Sequence, residues 1–423
     1  MKKIIMLVLI TALLPLTGCG ATTANPSGEL TVGLETENPS ASGELTIAAF
    51  IPNEFLLSAA RKYEEANEGV TVNITFYAGE ERDVSKYSQI INTALMSGRG
   101  EDIIDVSSLT WTKLADKDRL VDLNNLLSFD SEAYYMNILD AFLYRDMRYT
   151  IPLSFMFEAF EFYDDFTGIK PQSDFTVNDL LALAGRHPGT PLFDGSGFGM
   201  GQTTFAYKLF SLNSSDFLGI EQKETNVDNA EFISILEKVD SLREQLIGFP
   251  AILKQSLVYS AAMTNNGTED LSNMFHLTNE AGQALFEPSG FMPAINANSE
   301  NQELAADFIQ FLLSEEMMTS PELWTTPVNK KAAAEKARLT FESVKAGGWW
   351  PEGLDQQSFD IAWLERNFDE YNMLVERLSI VESADHFIRD FVTTEMGRYF
   401  QGEQSAEQAA RNLQSRLNTY LQE

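Results

Sequence analysis

The chain has 423 residues, more than one hydrophobic core usually serves, so two domains are expected. It is 44% hydrophobic and 22% charged, and Lys+Arg 30 against Asp+Glu 62 leave a formal net charge of -32. So acidic a protein is repelled by nucleic acid and anionic lipid, which excludes both as direct partners, and a single cysteine excludes internal disulfides.

Residues 1–19 read as an export signal. Lys2 and Lys3 form a positive n-region, and residues 4–14 form an apolar core too short to span a bilayer. Leu16-Thr17-Gly18-Cys19 matches the bacterial lipobox. Cys19 is therefore expected to carry lipid and to hold the exported protein at the outer face of the cytoplasmic membrane. Residues 20–43 are rich in Gly, Ser, Thr, Asn and Pro and lack apolar residues for a core. They read as a flexible tether with a span of roughly 27 Å.

The folded body begins with an apolar strand over 45–50. Asn53 is placed to cap a helix carrying Phe55, Leu56, Ala60 and Tyr63, and Val70, Val72, Ile74 and Phe76 alternate as a half-buried strand. Tyr87, Ile90, Ile91, Ala94 and Leu95 repeat at helical spacing, and residues 102–106 form the next strand. This βαβαβ order implies a mostly parallel sheet. A further helix starts at Trp111. Thr176 with Asp179 marks another helix start, and residues 230–246 read as a long amphipathic helix. Residues 291–295 are a short apolar run. Ser299 with Gln302 has the spacing of a capping box, ahead of the stripe Leu304, Phe308, Phe311 and Leu312. Ala406, Ala409, Ala410, Leu413, Leu417 and Leu421 make a last helical stripe. No internal repeat is present.

Signs of covalent chemistry are absent. His187, His276 and His386 lie far apart with no second cysteine, so neither zinc nor a cysteine nucleophile is indicated. There is no G-x-S-x-G, Walker A, G-x-G-x-x-G or calcium-loop pattern, and the Gly-rich run 195–201 opens no helix with a Lys. Glu80-Glu81 and Asp164-Asp165 could serve a glycosidase, but among 62 acidic residues such neighbours arise by chance. No catalytic residue, metal or cofactor is expected.

The aromatic count is the useful signal, with Phe 29, Tyr 13 and Trp 5. Sugars bind flat rings through their C–H faces and carboxylates or amides through their hydroxyls. In open α/β sheets the ligand lies beyond the carboxyl ends of the strands. That rule selects Phe50, Asn53 and Glu54 after the first strand, Glu80 after the second, and Ser107, Ser108 and Trp111 after the third.

Taken together, these segments resemble the extracellular solute-binding proteins of ABC importers, family 1, in the carbohydrate branch related to maltose-binding protein. The resemblance is carried by GFMPAINANSENQELAADFIQFLLSEE with PVNKK after it, by GEDIIDVSSLTWTKLADKDRLVDLNNLL, by the Y-x-I-P segment RYTIPLSFMFEAFEF, and by FQGEQSAEQAARNLQ near the end. Phe175-Thr176-Val177 stands where many members carry Trp. Residues 248–286 match least, lacking the usual F-x-x-G.

The resemblance implies an α/β, two-lobed periplasmic-binding-protein-like fold (type II). Each lobe is a mixed sheet flanked by helices, hinged by two or three crossings. It divides the body into an N-terminal lobe, 44–152 plus 287–316, and a C-terminal lobe, 153–286 plus 317–423. To the site residues it adds Phe157, Glu158, Thr204, Tyr207, Trp324, Trp349 and Trp350. It implies a monomer that captures a carbohydrate, an oligosaccharide in particular, and delivers it to an ABC permease. A ligand-sensing co-receptor, a carbohydrate-active surface enzyme and a relative that has lost binding are the alternatives.

Overall fold

The computed structural model describes residues 43–78, 82–163, 175–195, 201–348, 357–382 and 385–423. Strand β1 (Gly43–Ala49) buries Leu45, Ile47, Ala48 and Ala49, a near-continuous apolar run that needs cover on both faces. It lies between β2 (Val70–Phe76) and β3 (Ile103–Asp105) and pairs with both in parallel. Helices α1 (Glu54–Ala66) and α2 (Val84–Met96) are the crossovers. Asn53 caps α1, its side chain accepting the Leu56 N–H at 3.0 Å. The strand Pro293–Ile295 returns to this sheet and pairs antiparallel with β3.

Two buried carboxylates organise the sheet. Asp102 accepts the Thr46 N–H and hydroxyl at 2.8 and 2.7 Å, and the Ser299 hydroxyl at 2.6 Å. This overturns the expected capping box. With Ser299 committed to Asp102, Asn301 stands at the start of the helix Gln302–Leu312 without a side-chain cap bond, and the Gln302 amide donates to the Ala297 carbonyl. The stripe itself holds: Phe308 and Leu312 are buried and Leu304 and Phe311 pack against the same core. Asp105 accepts the backbone N–H groups of Phe50, Ser107 and Met292 at 3.3, 3.0 and 3.3 Å. It thereby ties the carboxyl ends of β1 and β3 to the returning chain. Burial raises the Asp105 pKa, and these bonds oppose the rise.

The second sheet is built on the strand Ser154–Phe162. Leu253–Ser260 pairs antiparallel with it from Leu253↔Phe162 to Val258↔Phe157. Ala284–Ser289 and Thr326–Pro327 pair with its first residues, and Ala284–Ser289 continues the sheet to Leu277–Thr278 and Leu378–Val381. Residues 248–286, the weakest part of the sequence likeness, therefore supply three strands that join this sheet. Thr176 and Asp179 form the expected reciprocal box at the helix Val177–Arg186.

Two buried apolar clusters result. One lies under the first sheet and runs through Phe155, Phe157 and Phe286 into Phe341, Trp363 and Tyr371. The other gathers Phe205, Phe210, Phe232 and Val392 with the whole stripe of the last helix, Ala406–Gln422. Among the described residues no helix is long and apolar enough to cross a membrane.

Candidate functional site

The short helix α3 (Trp111–Ala115) follows the carboxyl end of β3 and faces the helix Gln202–Leu212. Trp111 is 6% exposed, and its ring meets Tyr144 edge-on at 6.1 Å. Opposite lies the helix Gln202–Leu212, buried on all sides from Phe205 onward. A helix that is apolar all round belongs inside a protein, so the polar residues on it, Tyr207, Lys208 and Ser211, need partners.

Between these helices is a cleft of about 250 Å³, walled by Trp111, Tyr207 and Phe210, with hydroxyls from Thr110, Thr112, Ser211, Ser214 and Ser215. Glu382, Asp385 and Ile388 also line it. The chemistry on offer is aromatic surface with hydroxyl rims, which suits a ligand having apolar faces and many hydroxyls.

Lys208 lies behind this wall. Its ammonium contacts Glu158 at 2.9 Å and both oxygens of Glu382 at 2.8 and 2.9 Å. Gln255 donates a further bond to Glu158, at 2.9 Å. Burial alone would lower the Lys208 pKa, but Glu158 and Glu382 outweigh it and hold the side chain protonated above its usual range. Burial pushes the Glu158 carboxyl up, and Lys208 opposes that. The enclosed space around this cluster is about 30 Å³, room for about one water. Glu382 borders both spaces, and its backbone carbonyl accepts the Tyr207 hydroxyl at 2.8 Å. Among the described residues no group of three His, Cys, Asp or Glu side chains is placed to hold a metal.

Residues 46–319 match the profile of the bacterial extracellular solute-binding proteins. The chain belongs to that family. Solved structures agree on the fold. The ABC substrate-binding protein Lmo0181 from Listeria monocytogenes, in complex with cycloalternan, superposes with a TM-score of 0.56 at 16% identity, covering 90% of this chain and 100% of its own. The cyclic alpha-maltosyl-1,6-maltose binding protein from Arthrobacter globiformis gives 0.57 at 14%, covering 90% and 99%. The sugar-binding protein MalE from Xanthomonas citri gives 0.58 at 14%, covering 90% and 98%. At such identities the likeness is one of fold. Comparison with curated protein sequences returns no match.

In this solute-binding protein the cleft brings together two of the residues expected from sequence, Trp111 and Tyr207. Ser107 and Ser108 lie four and three residues before Trp111, at the turn after β3, but do not line the cleft. Phe50 rests on Tyr87, Asn53 is spent on the helix cap, and Glu54 is exposed, all outside this lining. Thr204 sits one turn before Tyr207 without reaching the cleft.

Two expectations need correction. Phe157 is 1% exposed and packs on His276 and Tyr371, so it belongs to the core. The Glu158 carboxylate is buried and taken by Lys208 and Gln255, so it has no oxygen directed at a solute. Trp324 is 62% exposed and meets Tyr259 edge-on, away from this lining. Glu80, Trp349, Trp350 and Cys19 lie outside the described residues.

Sequence reading missed Thr110, Thr112, Ser211, Ser214, Glu382 and Asp385. The threonines flank Trp111, and the serines follow Tyr207 in the same segment, so proximity was an available signal. Glu382 and Asp385 follow the strand Leu378–Val381, where no motif marks them.

Proposed function

We propose that this protein is the solute-binding component of an ABC importer and takes a neutral carbohydrate, an oligosaccharide in particular, into the cleft between its lobes. One observation carries the reading: Trp111 from the first lobe and Tyr207 from the second face the same hydroxyl-rimmed space. A sugar stacked there touches both lobes, so it binds the closed arrangement better than the open one and shifts the population toward closure. The permease then receives the closed form.

Proteins of similar fold named for cycloalternan, cyclic maltosyl-maltose or sugar binding support the ligand class. The cleft's carboxylates are committed to Lys208 and Tyr420, which favours a neutral guest and binding without covalent chemistry. The lobes proposed to move are 44–152 plus 287–316 and 153–286 plus 317–423. Cys19 is proposed to hold a monomer to the membrane through lipid.

Thermal unfolding against a panel of neutral mono- and oligosaccharides tests this. A sugar present at a hundredfold its Kd adds about 2.7 kcal/mol of stability. Trp111→Ala then weakens that sugar about tenfold or more, roughly 1.4 kcal/mol per tenfold. If no neutral sugar stabilises the protein while charged or peptide solutes do, the reading is wrong.

A further inference from the structure

Trp324 is exposed although the backbone on both sides of it is anchored. Leu323 before it and Thr325 after it are buried. The Thr325 hydroxyl donates to the Ser154 hydroxyl at 2.7 Å, and the Thr326 hydroxyl donates to the Tyr259 carbonyl at 2.7 Å. Thr326 and Pro327 then pair with Phe155 and Ser154. The indole is thus held outward by fixed neighbours, and its ring meets Tyr259 edge-on at 5.4 Å. Folding gains little from an indole left in water. A guest that stacks on it gains more, because a ring already held in place loses little freedom on binding.

The surface continues across the second sheet. In the strand Ser154–Phe162, Phe155 and Phe157 point into the core, so Met156 and Glu158 point to the opposite face. Glu287 pairs with Met156 and shares that face. Met156 and Tyr259 are half-buried and join neither apolar cluster. From the strand of Glu287 to the strand of Tyr259 there are two inter-strand steps, about 10 Å at roughly 4.8 Å each.

Glu287 differs from the carboxylates beside it. Glu158 and Glu382 are taken by Lys208, whereas the Glu287 carboxylate has no hydrogen bond or ion pair with any described residue. Burial and the charge of Glu382 raise its pKa, against the pull of Lys208. A half-buried acceptor of this kind is costly unless something outside the chain supplies a donor. Glu287 borders the small space around Lys208, and Glu382 borders both that space and the cleft, so this face adjoins the cleft.

We propose that Trp324, Tyr259, Met156 and Glu287 form a second sugar subsite, where one unit of a neutral oligosaccharide stacks on Trp324 and gives hydroxyl protons to Glu287 while another unit occupies the Trp111–Tyr207 cleft. This rests on the carbohydrate reading and extends it to the length of the guest. One sugar ring cannot touch both aromatic surfaces across a row of about 10 Å, so the guest is a chain. Trp324 and Glu287 then select for length, and Trp111 and Tyr207 hold whichever unit lies in the cleft.

The test titrates neutral sugars of several linkage series, from monosaccharide to hexasaccharide, into the full chain carrying Cys19→Ser. Trp324→Ala should weaken the longer sugars about tenfold and leave monosaccharides unchanged, and Trp324→Tyr should restore most of the loss. Glu287→Gln should also weaken the longer sugars, yet raise or leave unchanged the unfolding temperature, since it removes a charge that has no partner. A merely structural carboxylate would lower that temperature and leave affinity alone. In protein labelled with fluorotryptophan, the Trp324 resonance, identified by its loss in Trp324→Phe, should shift with the hexasaccharide and not with the monosaccharide. If long sugars bind and Trp324→Ala keeps their affinity, the subsite is overturned and the cleft reading stands. If their affinity depends on Trp324 and not on Trp111, the cleft assignment falls and the subsite stands. If no sugar of any length binds the parent, both fall.

Discussion

Lys208 shows how burial changes the meaning of a residue. In QTTFAYKLFSL it looks like the polar edge of a helix, but the helix is covered on every side and the ammonium sits among carboxylates. Removing one partner of such a group strands the others. Lys208→Met should therefore cost about 3–5 kcal/mol in urea unfolding, because Glu158 and Glu382 remain buried without a counter-charge. The loss should be smaller at pH 5 than at pH 8, since an unpaired, burial-raised Glu158 can protonate. An equal loss at both pH values would show that the cluster is already neutral.

His276 supplies a second residue-level test. Its ring nitrogens lie 3.0 and 2.9 Å from the carbonyls of Glu158 and Leu374, yet burial dominates and lowers its pKa to about 4. The unfolded chain, titrating near 6.5, binds the proton more readily. This contribution is present above pH 6.5 and is lost as pH falls through about 4. It amounts to roughly 3 kcal/mol at most. The difference in pH profile between the parent and His276→Gln isolates it from the carboxylates. A flat difference between pH 7 and 4 would refute it. Phe157 and Glu158 teach the complementary lesson. Successive strand residues face opposite ways, but sequence does not say which face meets a cleft.

At the scale of elements, two similar patterns came out differently. Thr176 and Asp179 make the reciprocal box that their spacing predicts. Ser299 and Gln302 do not, because Asp102 takes the Ser299 hydroxyl from 197 residues away in the chain. Thr176→Ala should cost about 1 kcal/mol, and should be non-additive with Asp179→Ala. Ser299→Ala should couple to Asp102→Asn and not to Gln302→Ala, as read by double-mutant cycles. The five residues of α3 are too few to fold alone, so its position depends on what packs against it.

For the whole molecule, the cleft lies where Trp111 of one apolar cluster meets Tyr207 and Phe210 of the other, so the proposed function turns on relative movement of these two sides. A solute touching both should slow amide exchange in α3 and in the helix Gln202–Leu212 together, measured at saturating sugar. Protection confined to one of them would place the solute on a single lobe.

By itself the sequence determined the strand and helix order of the first sheet, several apolar stripes and the family, because these rest on local periodicity and on motifs in a fixed order. It also named Trp111 and Tyr207. Only the tertiary structure decided that these two share a cleft, that Glu158 serves Lys208, and that Tyr420 reaches Thr110. Residues near 110, 210, 385 and 420 meet through packing of distant segments, and neither periodicity nor spacing carries that distance.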